Sequence, residues 1–531
     1  MHGLLKHTLA LAVVATYHGV CASDAPTIRW ESCDGIIPMD VQETFGAHLQ
    51  CGQLTTIRDH GDSSSPAVAR DVIRIRATLG QDTPPPTLFV DFGRQRFETM
   101  PSTVLEWRTS NADDPETSGF RKLVDRFDIV FLSHRGDTKT FRQRCGKFDY
   151  ASAVAVLAMP PESADHDTMW DSVIGNARDI ATRCAPVTQE VDTWQQVRDM
   201  DDLRRALGVE RLDLYGQDLG ARVLTTYAVT FPQHAGRLLL QGAMDFTDGL
   251  DAVYTGTPYG LELVLWRNAF VPAANDEGRW KLGGDPSDVR ERFMEIPFEL
   301  RYLWSGLMRR PEHIRTAIDI AHLYLMVPVD VRGRERLIHD VASHRFADDP
   351  AVDALVRKAS RPLVERLPRE GGSILDTFKA FDGSYIAPIC NDARWKTEPE
   401  VVRDWLTKEV ALRAAFSKQA VEQMLVCSQW PAATHEGPSL DDLRRIPAFV
   451  VMHDEENPWQ PLWNIQQATD KLPNATLVVR ESAGADISDH RFSCYRHLGT
   501  HYLLTGELPG ARKNYCSPGD PQPRTASRHE R

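Results

Sequence analysis

The chain has 531 residues, of which 42% are hydrophobic and 25% charged, and its formal net charge is −13 at pH 7. This composition is typical of a globular protein and argues against disorder. A chain with a pI of 5.8 lacks the clustered positive charge that binding to nucleic acid or to an anionic membrane requires. We therefore expect neither partner. The length allows one large domain with an insertion, or several smaller domains.

Residues 1–22 have the pattern of a secretory signal peptide. Lys6 precedes an apolar core from Leu9 to Ala15, and Val20 and Ala22 suit the small-residue positions of a cleavage site. The alternative interpretation is a buried N-terminal helix. No later apolar run approaches the about 20 residues that a membrane-spanning helix needs. We therefore expect a secreted, extracellular protein.

Eight of the nine cysteines remain after such a cleavage, and an even number in a secreted chain suggests disulfides. They fall in neighbouring couples, so sequential pairing is the simplest of the roughly one hundred connectivities that eight cysteines allow. The couples are Cys33 with Cys51, Cys145 with Cys184, Cys390 with Cys427, and Cys494 with Cys516. None has the C-x-x-C spacing of zinc or thioredoxin sites.

Asn474 begins the sequence Asn474-Ala475-Thr476, which is an N-glycosylation sequon. It is usable only in a eukaryotic secretory pathway, so we treat Asn474 as a candidate glycosylation site.

The first half of the chain alternates strand and helix patterns. The predicted strands are Thr87–Val90, Phe127–Leu132, Leu212–Tyr215 and Arg237–Leu240. Between the second and third, apolar residues from Val197 to Leu207 recur at spacings of three and four, which predicts a helix that Gly208 ends. This alternation predicts a mostly parallel sheet with helices on both faces, an α/β fold.

The chain divides into five predicted regions. After the signal peptide, residues 23–250 form the first part of the sheet domain. Residues 251–425 are rich in Arg, Trp and helix-like stretches, and we interpret them as an inserted helical lid. Residues 426–516 return to the sheet, with strand patterns at Pro447–Met452 and Thr476–Val479. The polar residues 517–531 are expected to form a disordered tail.

A tight turn between a predicted strand and a predicted helix carries the sequence Gly216-Gln217-Asp218-Leu219-Gly220. Two glycines around a central residue are typical of a nucleophile elbow, a strained turn that lifts one side chain above the sheet edge. Backbone N–H groups and the helix N-terminus then face the reacting oxygen. The central position holds Asp218, where a serine hydrolase has serine.

Several segments resemble, in order and spacing, the secreted tripeptidyl-aminopeptidase-like branch of the α/β-hydrolases, which is related to proline iminopeptidase. They are Ile28–Cys33, Phe127–Leu132 with Arg135-Gly136, Asp199–Gly208, Tyr215–Gly220, Cys427–Pro431 and Tyr502–Cys516. The resemblance covers most of the mature chain and supports the sequential disulfides. It implies an α/β-hydrolase fold with a helical lid, no cofactor or metal, and a peptide or small-molecule ligand in the lid-covered cleft.

The chain departs from that family at the positions that carry the chemistry. The family's nucleophilic serine falls on Asp218, its acid on Asn457 and its histidine on Ala485. Its glycine-rich oxyanion loop falls on residues 91–95, which keep one glycine, Gly93. Because four catalytic elements change together, the sequence predicts a degenerate, non-catalytic member that binds its ligand in the old cleft.

Two catalytic alternatives stay open. Asp218 resembles the nucleophile of haloalkane dehalogenases and epoxide hydrolases, where a carboxylate attacks an sp³ carbon and a His-activated water hydrolyses the ester. His490, five residues past Ala485, is then the candidate base. The other alternative is an active peptidase of the family whose site is misaligned here; it needs a serine that the elbow lacks.

The same residues also have structural interpretations. Asp218 at the start of a helix predicts an N-cap, with Arg94 as a candidate ion-pair partner. We expect the acidic run Asp454–Glu456 to be a solvated loop, and His453 and His134 to be packed or surface residues. Asp486, Asp489 and His490 lie close together in sequence but lack the further ligands of a metal site.

Overall fold

The protein is described here from a computed structural model. Within residues 26–526 it describes all but 81–83, 94, 112–117, 137–144, 146, 161, 188, 327–332, 369–373, 378–380, 383–385, 396–397, 411–417, 432–434, 436, 456, 458–459, 482–492 and 520–521. The predicted signal peptide therefore lies outside the described residues.

Ten of the twelve described strands form one sheet. The strands are β1 (Thr27–Glu31), β2 (Leu49–Ile57), β3 (Ala67–Ile75), β4 (Thr87–Asp91), β5 (Asp128–Leu132), β6 (Lys147–Phe148), β7 (Leu212–Gln217), β8 (Ala235–Gln241), β9 (Phe381–Asp382), β10 (Phe449–Asp454), β11 (Ala475–Arg480) and β12 (Lys513–Cys516). The sheet order is β1-β2-β3-β5-β4-β7-β8-β10-β11-β12, and β6 pairs with β9 alone. From β5 to β12 every pair is parallel, so the carboxyl ends of these strands meet at one edge.

The central strands are apolar on both sides because helices cover both faces of the sheet. In β4, Leu88 and Val90 pack into one hydrophobic core while Phe89 packs into another on the opposite face. The same alternation holds in β5, where Ile129 and Val130 enter different cores. Such two-sided burial explains why these strands are continuous apolar runs in the sequence.

The helices outside the lid are Met39–Phe45, Met100–Thr109, Ser118–Arg126, Tyr150–Ala158, His166–Cys184, Thr193–Leu207, Gly220–Thr230, Leu440–Arg445, Leu462–Asp470 and Ser493–Thr505. The predicted helix up to Leu207 ends as expected, because Gly208 adopts a left-handed φ of 70° that favours glycine. No helix among the described residues is long and apolar enough to cross a membrane.

Between β8 and β10 the described chain is almost entirely helical. Its helices are Leu250–Leu265, Val271–Asn275, Glu277–Trp280, Pro286–Met294, Phe298–Leu303, Pro311–Met326, Gly333–Ser343, Pro350–Glu365, Ala387–Asn391, Pro399–Asp404 and Lys418–Cys427, with π-helical turns at Trp266–Phe270 and Trp405–Val410. They share a hydrophobic core separate from the two cores of the sheet. Leu219 of the elbow packs against that core, so the insertion faces the carboxyl edge of the sheet.

The predicted disulfide pattern is confirmed. Bonds join Cys33 to Cys51, Cys145 to Cys184, Cys390 to Cys427, and Cys494 to Cys516. The third bond links two helices of the insertion, and the fourth links the C-terminal helix to β12.

The prediction of a disordered tail after Cys516 is wrong for its first part. Arg524 exchanges two backbone hydrogen bonds with Tyr515, and its guanidinium pairs with the buried carboxylate of Glu481. Ser517, fully buried, also donates to Glu481. A buried carboxylate at the end of β11 thus holds the tail; residues 527–531 lie outside the described residues.

Asn474 has a structural role that conflicts with glycosylation. Its Nδ2 donates to the carbonyl oxygens of Leu443 and Ile446 at 2.9 and 3.0 Å, which ties the start of β11 to the end of helix Leu440–Arg445. A glycan on that nitrogen removes one of its two hydrogens, so glycosylation would disrupt this contact.

Candidate functional site

The turn after β7 has the backbone of a nucleophile elbow. Asp218 has a φ of +51°, a conformation that residues with a side chain rarely adopt outside strained sites. Its carbonyl accepts from the N–H groups of Ala221 and Met244 at 3.3 and 3.4 Å. The strand ends at Gln217 and the helix begins at Gly220, so the carboxylate side chain is placed at the carboxyl edge of the sheet.

Three glycines make this turn sterically possible. A Cβ on Gly220 would lie 2.3 Å from the backbone oxygen of Asp91, and one on Gly216 would lie 3.0 Å from the backbone of Gly220. Gly93, at φ +64°, also has no space for a side chain, because an added Cβ would lie 2.8 Å from the Gln217 carbonyl oxygen. The loop after β4 and the elbow after β7 are therefore in close backbone contact.

The interpretation of Asp218 as a helix N-cap is wrong. Leu219 occupies the N-cap position of helix Gly220–Thr230, and Asp218 precedes it in a left-handed conformation. N-cap residues have extended backbone instead, which directs their side-chain oxygen at the first N–H groups of the helix. The proposed partner Arg94 lies outside the described residues.

A carboxylate and an imidazole stand beside the elbow. Asp91 follows the buried run of β4, and its side chain is only 2% exposed. Nε2 of His134 lies 3.1 and 3.0 Å from its two carboxylate oxygens. A Cβ on Gly220 would lie 2.8 Å from Asp91 Oδ1, so this pair directly abuts the elbow. We expected His134 to be a packed or surface residue, but the ring is 28% exposed and paired at the site.

The Asp91 carboxylate also binds a backbone N–H group of the predicted oxyanion loop. The N–H group of Gly93 donates to Asp91 Oδ1 at 2.8 Å. In an oxyanion hole, such a backbone donor points at the oxygen on which negative charge develops. Here the donor is already bonded to a carboxylate within its own loop.

Asn457, the acid position, lies in the loop after β10. Its Oδ1 accepts from the Gln460 N–H at 3.0 Å, and its Nδ2 lies 3.5 Å from where a Cβ on Gly242 would be. The loop thus folds toward the carboxyl end of β8. An amide here can orient a neighbouring group but cannot stabilise an imidazolium as a carboxylate does.

The acidic run beside Asn457 is not the solvated loop that we expected. Asp454 forms an ion pair with Arg480, and the buried Glu455 forms one with Arg267 of the insertion. Glu456 lies outside the described residues. His453 is packed as predicted: its Nε2 donates to the Gln460 carbonyl at 2.8 Å, and burial lowers its pKa to about 4.

The predicted histidine position, Ala485, falls within residues 482–492, which lie outside the described residues. Ala485 and its candidate substitute His490 therefore stay predictions, as does the absence of a metal at Asp486 and Asp489. Among the residues that the structure does describe, no group of three or more His, Cys, Asp or Glu side chains is arranged to hold a metal ion.

A buried ionic network anchors the loop that carries His134. The neighbouring Arg135 donates to both carboxylate oxygens of Asp199 at 2.7 Å, and His60 Nε2 lies 2.8 Å from the same carboxylate. Burial by itself would raise the pKa of Asp199, but the hydrogen bonds from Arg135 and His60 and the charge of Arg70 outweigh it and lower the pKa to about 2. The Arg135 loop is thus fixed by charge as well as by packing.

Sequence reasoning missed the Asp91–His134 pair. Asp91 directly follows one predicted strand and His134 lies two residues after another, and carboxyl ends of parallel strands meet at the ligand-binding edge of such sheets. What the sequence did not supply was the order β5-β4-β7, which places these strand ends next to one another.

The strand order, the elbow after β7 and the helical insertion before β10 are those of an α/β-hydrolase fold. A family model described as alpha/beta hydrolase fold matches residues 105–265, and one described as TAP-like protein matches residues 413–516. The chain thus has the α/β-hydrolase fold, and its C-terminal part is similar to TAP-like proteins.

Three matches extend over most of this chain and of the matched protein. The chain is 21% identical over 501 residues to a tripeptidyl aminopeptidase of Streptomyces lividans, covering 92% of this chain and 87% of that protein. The Streptomyces coelicolor tripeptidyl aminopeptidase is also 21% identical, with 92% and 86% covered. A monoclinic structure of the acetyl esterase MekB matches with 11% identity over 83% of this chain and 90% of its own, at a TM-score of 0.33.

Proposed function

We propose that this protein binds a peptide or small-molecule ligand in the lid-covered cleft and has no serine-hydrolase activity. One observation carries the proposal: the buried Asp91 carboxylate abuts the elbow and takes the Gly93 N–H. Acyl transfer creates an oxyanion that needs such donors. A buried carboxylate beside it removes one donor and repels the developing charge.

The elbow residue supports the same proposal. A carboxylate that attacks a peptide bond would form an anhydride with the acyl group, which is an unfavourable step, so Asp218 does not replace serine in peptide hydrolysis. Leu219 of the elbow packs against the core of the insertion, so the insertion lies next to the elbow, where the proposed ligand would bind. The relatives bear the name tripeptidyl aminopeptidase, which makes short peptides the first ligands to test.

The experiment is calorimetric titration of the purified mature protein with a tripeptide panel, followed by mass analysis of the peptides. We expect binding without cleavage, weakened at least about tenfold (about 1.4 kcal/mol) by Asp218→Asn. Asp179→Asn is the matched control, since Asp179 is an exposed carboxylate that pairs with Arg183 on a helix. Cleaved peptide would refute the proposal, and equal affinity in both variants would place the ligand away from the elbow.

A second candidate is a hydrolase that uses Asp218 as its nucleophile, and the retained φ of +51° together with the adjacent Asp91–His134 pair favours it. A carboxylate oxygen of Asp218 would attack an sp³ carbon, and the leaving group would depart with the bonding electrons. Water deprotonated by an imidazole would then attack the ester carbonyl, and the alcohol would leave as the carboxylate is restored. His134 joins His490 as a candidate base.

Haloalkanes and epoxides separate the two candidates. Turnover that is lost in Asp218→Ala and in either His134→Ala or His490→Ala would establish the second candidate and refute the non-catalytic one. A mass adduct on Asp218 without turnover would show a nucleophile that lacks a working base. We expect neither turnover nor adduct, since the Asp91 carboxylate also opposes a departing anion.

A further inference from the structure

The insertion is attached to the sheet domain through a polar contact that the cleft chemistry does not use. Asp392, which follows helix Ala387–Asn391, accepts hydrogen bonds from the N–H and Oγ1 of Thr193 at 2.8 and 2.5 Å. Cys390 in the same helix is bonded to Cys427 at the end of the last lid helix. One carboxylate thus connects a disulfide-bonded pair of lid helices to the first residue of helix Thr193–Leu207.

A second carboxylate completes this contact. Asp192, fully buried, caps helix Thr193–Leu207 by accepting from the Gln195 N–H at 2.7 Å. Its other oxygen lies 2.7 Å from Nδ1 of His435, which comes from the segment after the last lid helix. The His435 ring lies parallel to the Trp194 indole at 4.1 Å. We call Asp192, Thr193, Asp392 and His435 the lid clasp.

The lid clasp brings two acids together with little positive charge to balance them. Burial and the neighbouring Asp192 raise the pKa of Asp392 to about 6, against the hydrogen bonds of Thr193 and the charge of Arg222. Arg222, in the elbow helix, is shared with three further carboxylates: Asp245, Asp248 and Asp251. Arg198, stacked on Trp194, also lies near Asp192.

We propose that the lid clasp is a pH-dependent latch, which holds the lid helices against the core in mildly acidic solution and loosens when the Asp392 carboxyl is ionised beside Asp192. The direction follows from burial. The closed form stabilises the protonated Asp392 carboxyl, whereas an open form returns it to water.

The size of the effect follows from proton linkage. A group whose pKa rises from 3.8 in the open form to about 6 in the closed form favours closure below pH about 4 and loses that contribution as pH rises through 6. The closing equilibrium then changes by at most about 100-fold. Control of access to the cleft by the latch rests on the proposed function. The pH-dependent closing of the lid helices does not.

Hydrogen exchange of the full mature chain at pH 5 and pH 7.5, corrected for intrinsic rates, tests the latch. We expect peptides covering Ala387–Asn391 and the Thr193 amide to exchange at least about tenfold faster at pH 7.5. Asp392→Asn keeps the shape and the Thr193 contacts without the charge, so it should protect these peptides equally at both values. His435→Gln removes the ring that contacts Asp192 and stacks on Trp194, so it should reduce the protection at both pH values.

Asp349→Asn is the matched control, because Asp349 caps another lid helix, Pro350–Glu365, and is exposed. It should leave the pH dependence of the lid clasp peptides unchanged. Equal protection of the wild-type peptides at both pH values would overturn the proposal, and so would a pH dependence that persists in Asp392→Asn. Neither result bears on ligand binding, so the latch and the proposed function fail separately.

Discussion

Asp199→Asn should lower the free energy of unfolding by about 3–5 kcal/mol, because it leaves the guanidinium groups of Arg135 and Arg70 without their buried counter-ion. The measurement is the shift in urea midpoint of the disulfide-bonded protein. Asp179→Asn removes a carboxylate from a surface pair whose side chains are about half exposed, and it should cost under about 1 kcal/mol. Equal midpoints for the two variants would contradict a stabilising role for the Asp199 network.

The same network makes the stability of the protein depend on pH in acid solution. Since the pKa of Asp199 falls from its ordinary 3.8 to about 2 on folding, its contribution is complete above pH 4 and is lost as pH falls toward 2. The Asp199→Asn protein should lack that component of the acid-induced decline.

Gly220→Ala should be the most damaging single-atom addition at the site. The new Cβ would lie 2.3 Å from the Asp91 backbone oxygen and 2.8 Å from its carboxylate, so the β4 and β7 loops must separate. We expect a loss of about 3 kcal/mol, at the upper end of overpacking costs, together with loss of ligand binding. Thermal unfolding and the peptide titration measure the two effects.

Gly175→Ala is a control for which we expect a gain in stability instead of a loss. Gly175 lies within helix His166–Cys184, and nothing stands within 4 Å of its Cβ position. Alanine there should stabilise the protein by up to about 1 kcal/mol through helix propensity. If both glycine variants had the same stability, the close approach of Asp91 to the elbow would be refuted.

The sequence predicted the elements that local patterns control. Apolar runs identified the central strands, Gly208 the end of a helix, and the order of cysteines all four disulfides. The tail was predicted wrongly because its contacts are non-local: Arg524 is fixed by Glu481, a buried carboxylate 43 residues earlier. Its polar composition gives no sign of that partner.

The elbow was likewise predictable from its two glycines, but the role of Asp218 was not. An aspartate before a helix suggests a cap, and only the backbone φ shows that the turn retains elbow geometry. Asp454 and Glu455 were predicted to be solvated because the sequence does not show their partners. Arg480 lies on another strand and Arg267 in the insertion. The Asp91–His134 pair similarly depends on strand order.

The central proposal is that this protein has no serine-hydrolase activity, and reaction with a fluorophosphonate probe tests it most directly. The purified mature protein and its Asp218→Ser variant would be treated side by side, with aminopeptidase turnover followed in the same samples. We predict no labelling and no turnover in either protein, because a serine at the elbow would still face the Asp91 carboxylate and an oxyanion loop whose Gly93 N–H is occupied. Labelling of the wild-type protein, or labelling with turnover in Asp218→Ser, would contradict the account.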